Sequence, residues 1–298
     1  ILVLLAIGDV ISDVIFKTIT PSWTLQRKIK QLNSMLLFSR GGKFLVLLGL
    51  TPFINLTPTM VIGSRFLISA ITLIISLFLL KPILHTGKIK EVFPIIKAST
   101  AFGLSEILAM IYANIDVAIL TFFSISDTGL YSPAAGIIHA LFIIPNSFYI
   151  YLLPKYSKQL SDQNDTKIKK ITRNIVIIFF LIGFFLGLGL LIGGKPIISL
   201  VLGEKYLVTG DLLRILSPIM LFKSISFGLA LLIVITGNQR KRLLPQLIVS
   251  LINIGLNILL LPIFGVFSVA WIYTSSELIL MFGYALIVVM TIKNENFQ

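Results

Sequence analysis

The stretch IVIIFFLIGFFLGLGLLIGG, residues 175–194, contains twenty consecutive residues without a charge. As an α-helix, a stretch of this length reaches about 30 Å, the thickness of the hydrocarbon core of a bilayer. The rest of the chain is similar, because 56% of its residues are hydrophobic and only 12% are charged, against ~25% charged residues in a soluble domain. Long unbroken apolar runs favour helices over the short alternating segments of a barrel. The sequence therefore predicts an all-α polytopic membrane protein.

Other apolar runs of similar length extend this prediction along the chain. The eight predicted spans are about 36–56, 59–83, 94–123, 130–154, 172–194, 211–236, 243–262 and 266–291. An apolar run at residues 1–16 precedes them. We expect this run to be the end of a truncated span, with the N-terminus of the protein lying before it.

The basic residues indicate an orientation. Twenty of the 25 lysines and arginines fall on every second connection between spans. Because basic loops stay in the cytoplasm, this bias predicts a multi-pass protein of the cytoplasmic membrane with its C-terminus inside. The same clustering explains the net charge of +13 without nucleic-acid binding. The absence of cysteine from the sequence excludes disulfides and thiolate metal sites.

Ionisable residues inside or near the predicted spans are the candidate functional residues. They are Glu106, Asp116, Arg214, Lys223 and Glu277, followed by Arg65 and His139. A charge at the bilayer centre costs roughly 2.5–3.5 kcal/mol, so such residues normally face a cavity or pair with one another. Asp116 and Glu106 lie on one predicted span, about 15 Å apart along its axis. They could line one cavity at two depths, but they cannot form a carboxylate dyad.

Several of these residues also have a structural explanation. Arg214 lies near the outer end of its span, where a long side chain can snorkel to the interface. A lone histidine such as His139 is more often packed and hydrogen-bonded than part of a proton relay. Asn253 and Asn257 lie one turn apart on one face, where they could join helices or bind a ligand. Glu277 follows two serines whose hydroxyls could satisfy it.

No catalytic constellation accompanies these charges in the sequence. The two histidines, His85 and His139, have no paired metal spacing, and the glycines of residues 183–194 lack the GK[ST] of a phosphate loop. We therefore expect no catalytic residue, no metal site, no cofactor and no enzyme activity. A transporter is the default class for such a chain.

Motifs in the second part of the chain resemble a known family. After the aspartate in an apolar span come GLYSPAAGI (129–137), LLPKYSK (152–158) and IISLVLGEKYLVTGDLLRILSP (197–218). The run TGNQRKRLLPQLIVSLINIGLNILLLPIFGVFSVAWIYTSSELI follows at 236–279. Their order is similar to that of the polysaccharide flippases, the Wzx-type O-antigen and teichoic-acid exporters. These belong to the multidrug/oligosaccharidyl-lipid/polysaccharide exporter superfamily. The resemblance covers about 111–290, and the first 90 residues match only in span pattern and in the basic loop WTLQRKIKQLN.

The resemblance implies two six-helix bundles around a central cleft, an architecture like that of the multidrug exporters. Residues 1–84 would be the last three helices of the first bundle, the first of them truncated. Residues 92–292 would form the complete second bundle, and 293–298 a cytoplasmic tail. About three N-terminal helices would then be missing, so the chain alone is not expected to transport.

The implied function is translocation of a lipid-linked oligosaccharide across the membrane by alternating access, coupled to H⁺, Na⁺ or the membrane potential. Its partners would be a lipid-pyrophosphate-linked glycan, membrane lipids and glycan-assembly proteins, with the transporter itself monomeric and no nucleic acid involved. The candidate cavity residues are Lys223, Arg214, Arg65, Asn253 and Asn257, the cations serving as phosphate partners. The candidate ion or sugar ligands are Asp116, Glu106 and Glu277.

Two other functions are compatible with the sequence. A cation-coupled, multidrug-type antiporter of the same superfamily would need a cleft dominated by carboxylates, and the basic residues Arg214 and Lys223 argue mildly against it. A membrane-embedded polysaccharide polymerase or ligase would normally carry a large external loop with catalytic His or Arg. The longest predicted external loop, 195–210, has 16 residues.

Overall fold

The computed structural model describes residues 2–25, 34–35, 38–39, 41–43, 45–46, 57–80, 104, 108, 112–160 and 165–295. Within these ranges the secondary structure is helical and contains no strand. The chain divides into two compact units, Ile1–Glu91 and Val92–Gln298. That the units correspond to the end of one six-helix bundle and a complete second bundle remains a prediction.

The helices are numbered here along the chain. They are α1 (Leu2–Leu25), α2 (Pro58–Leu80), α3 (Tyr112–Phe123), α4 (Ile125–Leu141), α5 (Ile143–Leu160), α6 (Asp165–Leu202), α7 (Leu207–Leu216), α8 (Ile219–Ile235), α9 (Leu243–Phe264) and α10 (Val266–Glu295). Two 3₁₀ segments, Glu204–Tyr206 and Gln239–Arg242, lead into α7 and α9.

Six of the eight predicted spans coincide with described helices that are long and apolar enough to cross a membrane. These segments are Thr59–Phe78, Ile125–Ser157, Lys170–Leu202, Gln239–Phe264 and Val266–Thr291, together with the bent pair Glu204–Leu216 and Ile219–Ile235 counted as one span. The chain is therefore an all-α, multi-pass membrane protein, as predicted. The predicted span 36–56 lies largely outside the described residues, and of the span 94–123 the structure describes chiefly α3.

In the first unit, α1 packs along α2. Gly8 permits this contact, because a Cβ at that position would lie 2.5 Å from Cε2 of Phe66. In the second unit, α8 packs against α5, α6 and α10, while α9 packs on α10. α7 contacts α4, α6 and α10. The bent span formed by α7 and α8 therefore packs against α4, α5, α6 and α10.

The sequence GFFLG brings α6 close to α8. A Cβ on Gly183 would lie 2.6 Å from the main-chain oxygen of Met220 and 2.7 Å from Cα of Leu221. A Cβ on Gly187 would lie 3.0 Å from the main-chain oxygen of Ser217. Small residues spaced four apart let helix backbones meet in this way inside a membrane. Gly183 and Gly187, two of the glycines that lack the GK[ST] of a phosphate loop, thus serve helix packing.

The span formed by α7 and α8 bends by 43° at Ser217 and Pro218. Pro218 has no N–H to donate and cannot continue a regular helix. The carbonyl of Arg214 accepts instead from the Ser217 hydroxyl at 2.8 Å. The carbonyl of Ile215 accepts from the Thr274 hydroxyl of α10 at 3.0 Å. Side-chain donors therefore satisfy the carbonyls at the break, as a proline-broken span requires in lipid.

Two predicted boundaries differ from the observed ones. Lys195, which follows the expected end of the span at residue 194, is paired with Asp211 at 2.8 Å. The structure shows no helix end there, and α6 continues to Leu202. It ends at Gly203, whose φ of 85° favours glycine. The predicted spans 94–123 and 130–154 leave residues 124–129, SISDTG, as the connection between them, but in the structure only Ser124 separates α3 from α4. The Ser124 hydroxyl accepts from the Asp127 N–H at 3.2 Å and caps α4.

Candidate functional site

Asp116 is buried among the helices of the second unit, with 2% of the residue exposed. Its Oδ1 accepts a hydrogen bond from Nδ2 of Asn257 on α9 at 3.1 Å. Its Oδ2 accepts from the Tyr131 hydroxyl on α4 at 3.4 Å. The carboxylate of α3 thus faces two neighbouring helices, α4 and α9, and joins them to its own.

The two asparagines of α9 extend this contact to α10. Nδ2 of Asn257 also lies 3.0 Å from Oδ1 of Asn253. Nδ2 of Asn253 donates to the Ser276 hydroxyl at 3.3 Å. We call Asp116, Tyr131, Asn253, Asn257 and Ser276 the amide cluster. Both asparagines are buried, and their contacts agree with the helix-joining explanation of the pair.

Lys223 of α8 and Glu277 of α10 form an ion pair, with 2.6 Å between Nζ and Oε1. The Glu277 side chain is 0% exposed and that of Lys223 is 19% exposed. The second carboxylate oxygen, Oε2, is buried and has no hydrogen-bond partner in the described part of the chain. Lys223, and not a neighbouring serine, is therefore the partner of Glu277.

Aromatic rings surround this ion pair. Nζ of Lys223 lies 5.5 Å from the ring centroid of Tyr112 and 5.7 Å from that of Phe142, both within cation–π distance. The Tyr273 hydroxyl lies 3.5 Å from Nε2 of His139, which matches the packed, hydrogen-bonded explanation of this histidine. We call these residues the ion-pair cluster: Tyr112, His139, Phe142, Lys223, Tyr273 and Glu277.

The two clusters adjoin each other along α10. Ser276 of the amide cluster directly precedes Glu277 of the ion-pair cluster. Asp116 and Glu277 are close enough to interact electrostatically. The site thus contains two buried carboxylates with different partners, since amide and hydroxyl groups hold Asp116 and a cation holds Glu277. Such a site can bind a cation at a carboxylate and an anion at the partly exposed lysine.

The remaining candidate residues lie outside these two clusters or outside the described residues. Arg214 is 48% exposed and lies 3.9 Å from Asp211 of its own helix, consistent with the interfacial explanation. Glu106 lies outside the described residues. Arg65 belongs to the first unit, where its Nε lies 3.4 Å from Oδ2 of Asp9.

Asp9 of α1 was not among the predicted functional residues. Nζ of Lys43 lies 3.0 Å from Oδ1 of this carboxylate, and the Ser69 hydroxyl also donates to it. The signal was available, because Asp9 is a carboxylate within an apolar run, as Asp116 is. The aromatic members of the ion-pair cluster gave no comparable signal, since tyrosine and phenylalanine are common throughout this chain.

Comparison with known proteins gives one distant relative. A capsular polysaccharide biosynthesis protein, CapF of Staphylococcus aureus, is 27% identical to the chain over 201 residues. The matched region covers 67% of this chain and 50% of that protein, so the chain spans about half the length of this relative. The chain matches no protein-family model and no solved structure.

Proposed function

We propose that the chain belongs to a flippase that translocates a lipid-linked oligosaccharide, a polysaccharide precursor, across the cytoplasmic membrane by alternating access. In this proposal the protein is a transporter and not an enzyme, its basic loops and C-terminus are cytoplasmic, and its substrate is a glycan linked to lipid by pyrophosphate. The likeness to a capsular polysaccharide biosynthesis protein supports the glycan over the small molecules of a multidrug-type antiporter.

The observation that carries the proposal is the partly exposed Lys223 side chain inside an apolar span. Lys223 lies twelve residues before the end of α8 at Ile235, or about 18 Å along a helix. A hydrophilic head group cannot cross hydrocarbon unaided, because each unpaired polar group costs several kcal/mol there (roughly 2–7 kcal/mol). A cation at this depth gives an anionic pyrophosphate a partner within the membrane.

The carboxylates of the site support coupling to a cation. Asp116 and Glu277 are both buried, and each contacts a polar or charged side chain of another helix. Ionisable residues inside spans mark substrate and ion pathways in membrane proteins. In the proposal Lys223 binds the substrate anion, while Asp116 and Glu277 are the groups that a coupling ion would neutralise.

Complementation with the intact gene tests the proposal. A bacterial host lacking its own polysaccharide flippase should regain surface polysaccharide when it expresses the intact gene. Lys223→Ala and Asp116→Asn should each reduce export at least tenfold at equal membrane abundance. Lys241→Ala, which removes an exposed cation from a connecting segment, should export normally.

Two results would contradict the proposal. One is full export by both Lys223→Ala and Asp116→Asn. The other is a membrane-inserted wild-type protein that restores no surface polysaccharide while the lipid-linked precursor accumulates on the inner leaflet.

A further inference from the structure

The ion pair of Lys223 and Glu277 is asymmetric. Lys223 is partly exposed, whereas Glu277 is fully buried. One oxygen of Glu277 contacts the ammonium, and the other has no hydrogen-bond partner among the described residues. An incoming anion can therefore reach the lysine, but it cannot reach the glutamate without displacing the helices around it.

A buried ion pair of this kind gives little net stability. The cost of removing two charges from water often exceeds their mutual attraction, so a well-packed apolar pair can be equally stable. The Glu277 carboxylate increases that cost, because one of its two buried oxygens has no hydrogen-bond partner among the described residues. The pair is thus a poor structural clamp, and the lysine charge that it neutralises is the one that the proposed function requires.

We propose, as an extension of the proposed flippase function, that Glu277 is an internal competitor for the pyrophosphate of the substrate. The anion binds Lys223 only when Glu277 releases it, and Glu277 then takes up one proton from water. The proton neutralises a carboxylate that would otherwise remain buried and unpaired, which is a strongly destabilising state. Binding of one anion charge is thereby linked to binding of one proton.

The rings around Lys223 suit this exchange. Tyr112 and Phe142 attract the ammonium through their π faces without neutralising its charge. When Glu277 is protonated, the ammonium can stay beside these rings and still offer a full positive charge to phosphate oxygens. An apolar setting also strengthens a new charge-assisted contact, since water screens it less.

Several other titratable or charged groups lie on helices packed against α10. They are Tyr112 and Asp116 of α3, Tyr131 and His139 of α4, Asp211 and Arg214 of α7, Lys223 of α8 and Arg242 before α9, with Tyr273 on α10 itself. Of these, His139 and Asp116 can also change charge near neutral pH or below. An experiment that varies the pH therefore needs a His139 variant and an Asp116 variant as well as the Glu277 variant.

The test uses the purified product of the intact gene and farnesyl pyrophosphate as a probe, with farnesol as the uncharged reference. The dissociation constants of farnesyl pyrophosphate and farnesol are measured by calorimetry at pH 6 and pH 8. Glu277→Gln should bind the probe at least tenfold more tightly than wild type at pH 8, because the competing charge is gone. Lys223→Met should bind it no better than farnesol.

The pH dependence of probe binding identifies the residue that takes up the proton. Wild type should bind the probe more tightly at pH 6 than at pH 8, since protonation of Glu277 frees Lys223, with a limit of tenfold per pH unit for one proton. Glu277→Gln should lose this change, while His139→Gln and Asp116→Asn should keep it. Protonation of the probe itself is common to all variants and cancels in the comparison.

The double variant Lys223→Met/Glu277→Gln controls for folding. It removes both charges, and it should unfold at about the wild-type temperature while binding as weakly as Lys223→Met. An unchanged affinity in Glu277→Gln, or a pH dependence that only His139→Gln or Asp116→Asn removes, would overturn the competition while leaving the flippase proposal intact. Failure of both wild type and Glu277→Gln to prefer the probe over farnesol would overturn the choice of a pyrophosphate substrate, and the competition with it.

Discussion

The contact between α6 and α8 can be tested by placing one methyl group at three positions of α6. Gly183, Gly187 and Gly189 lie on the same helix, and alanine at each position changes helix propensity by a similar amount. The added Cβ meets different surroundings, however. It lies under 3.0 Å from two main-chain atoms at Gly183 and 3.0 Å from one at Gly187, whereas no atom lies within 4 Å at Gly189.

These distances give the expected order of stability. Real Cβ atoms do not approach main-chain atoms to 2.6 or 2.7 Å, so Gly183→Ala must push α6 away from α8. Overpacking of this kind typically costs about 1–3 kcal/mol, and we expect the upper end because neither obstructing atom belongs to a flexible side chain. Gly187→Ala should cost about 1 kcal/mol on the same scale. Gly189→Ala should cost nothing, since its methyl group faces open space.

Unfolding of the purified protein in mild detergent, titrated with SDS, measures this order. Gly189→Ala is the matched control, and both other variants should unfold at lower SDS fractions, Gly183→Ala lowest of all. The propensity gain, at most about 1 kcal/mol, is common to the three variants and cancels. Equal unfolding midpoints for Gly183→Ala and Gly189→Ala would refute the close approach of α6 and α8.

Two further predictions concern the bent span and the orientation of the chain. Thr274→Val removes a hydroxyl that donates to Ile215 across helices, whereas Thr291→Val removes one bonded only within its own helix to Ile287. Thr274→Val should therefore cost about 0.6–1 kcal/mol more in the same unfolding assay, and equal losses would contradict the role given to this contact. The cysteine-free chain also permits single-cysteine labelling: in intact cells a membrane-impermeant thiol reagent should label Glu204→Cys but not Gln239→Cys, which should react only after permeabilisation. The opposite pattern would invert the predicted topology.

Hydrophobicity along the chain was sufficient to predict the six apolar helical spans that the described residues contain. Each span is a local property, because about twenty apolar residues meet the length requirement wherever they pack. The ends of α6 and α4 were less predictable. α6 continues past Lys195, whose charge is paired with Asp211 16 residues later, and the boundary between α3 and α4 coincides with the cap at Ser124.

The partners in the site could not be predicted from the sequence alone. Lys223 and Glu277 are 54 residues apart, and Asp116 and Asn257 are 141 residues apart. Each residue was a candidate because placing a charge or an amide within a span costs free energy. That cost does not determine which of these groups contact one another. That choice depends on which helix faces pack together, and a hydropathy pattern does not contain this information.

The two clusters differ in how accessible their polar groups are to an incoming anion. In the amide cluster, hydrogen bonds among groups of α3, α4, α9 and α10 join the helices around the buried Asp116. In the ion-pair cluster, by contrast, the cation is partly exposed and its partner is half-satisfied. Thr274 and Glu277 lie three residues apart on α10 and contact the bent span on both sides of its break, at Ile215 and at Lys223. Release of Lys223 by Glu277 would therefore remove a polar contact between α10 and the bent span, five residues after Pro218, which links anion binding to the bend of this span.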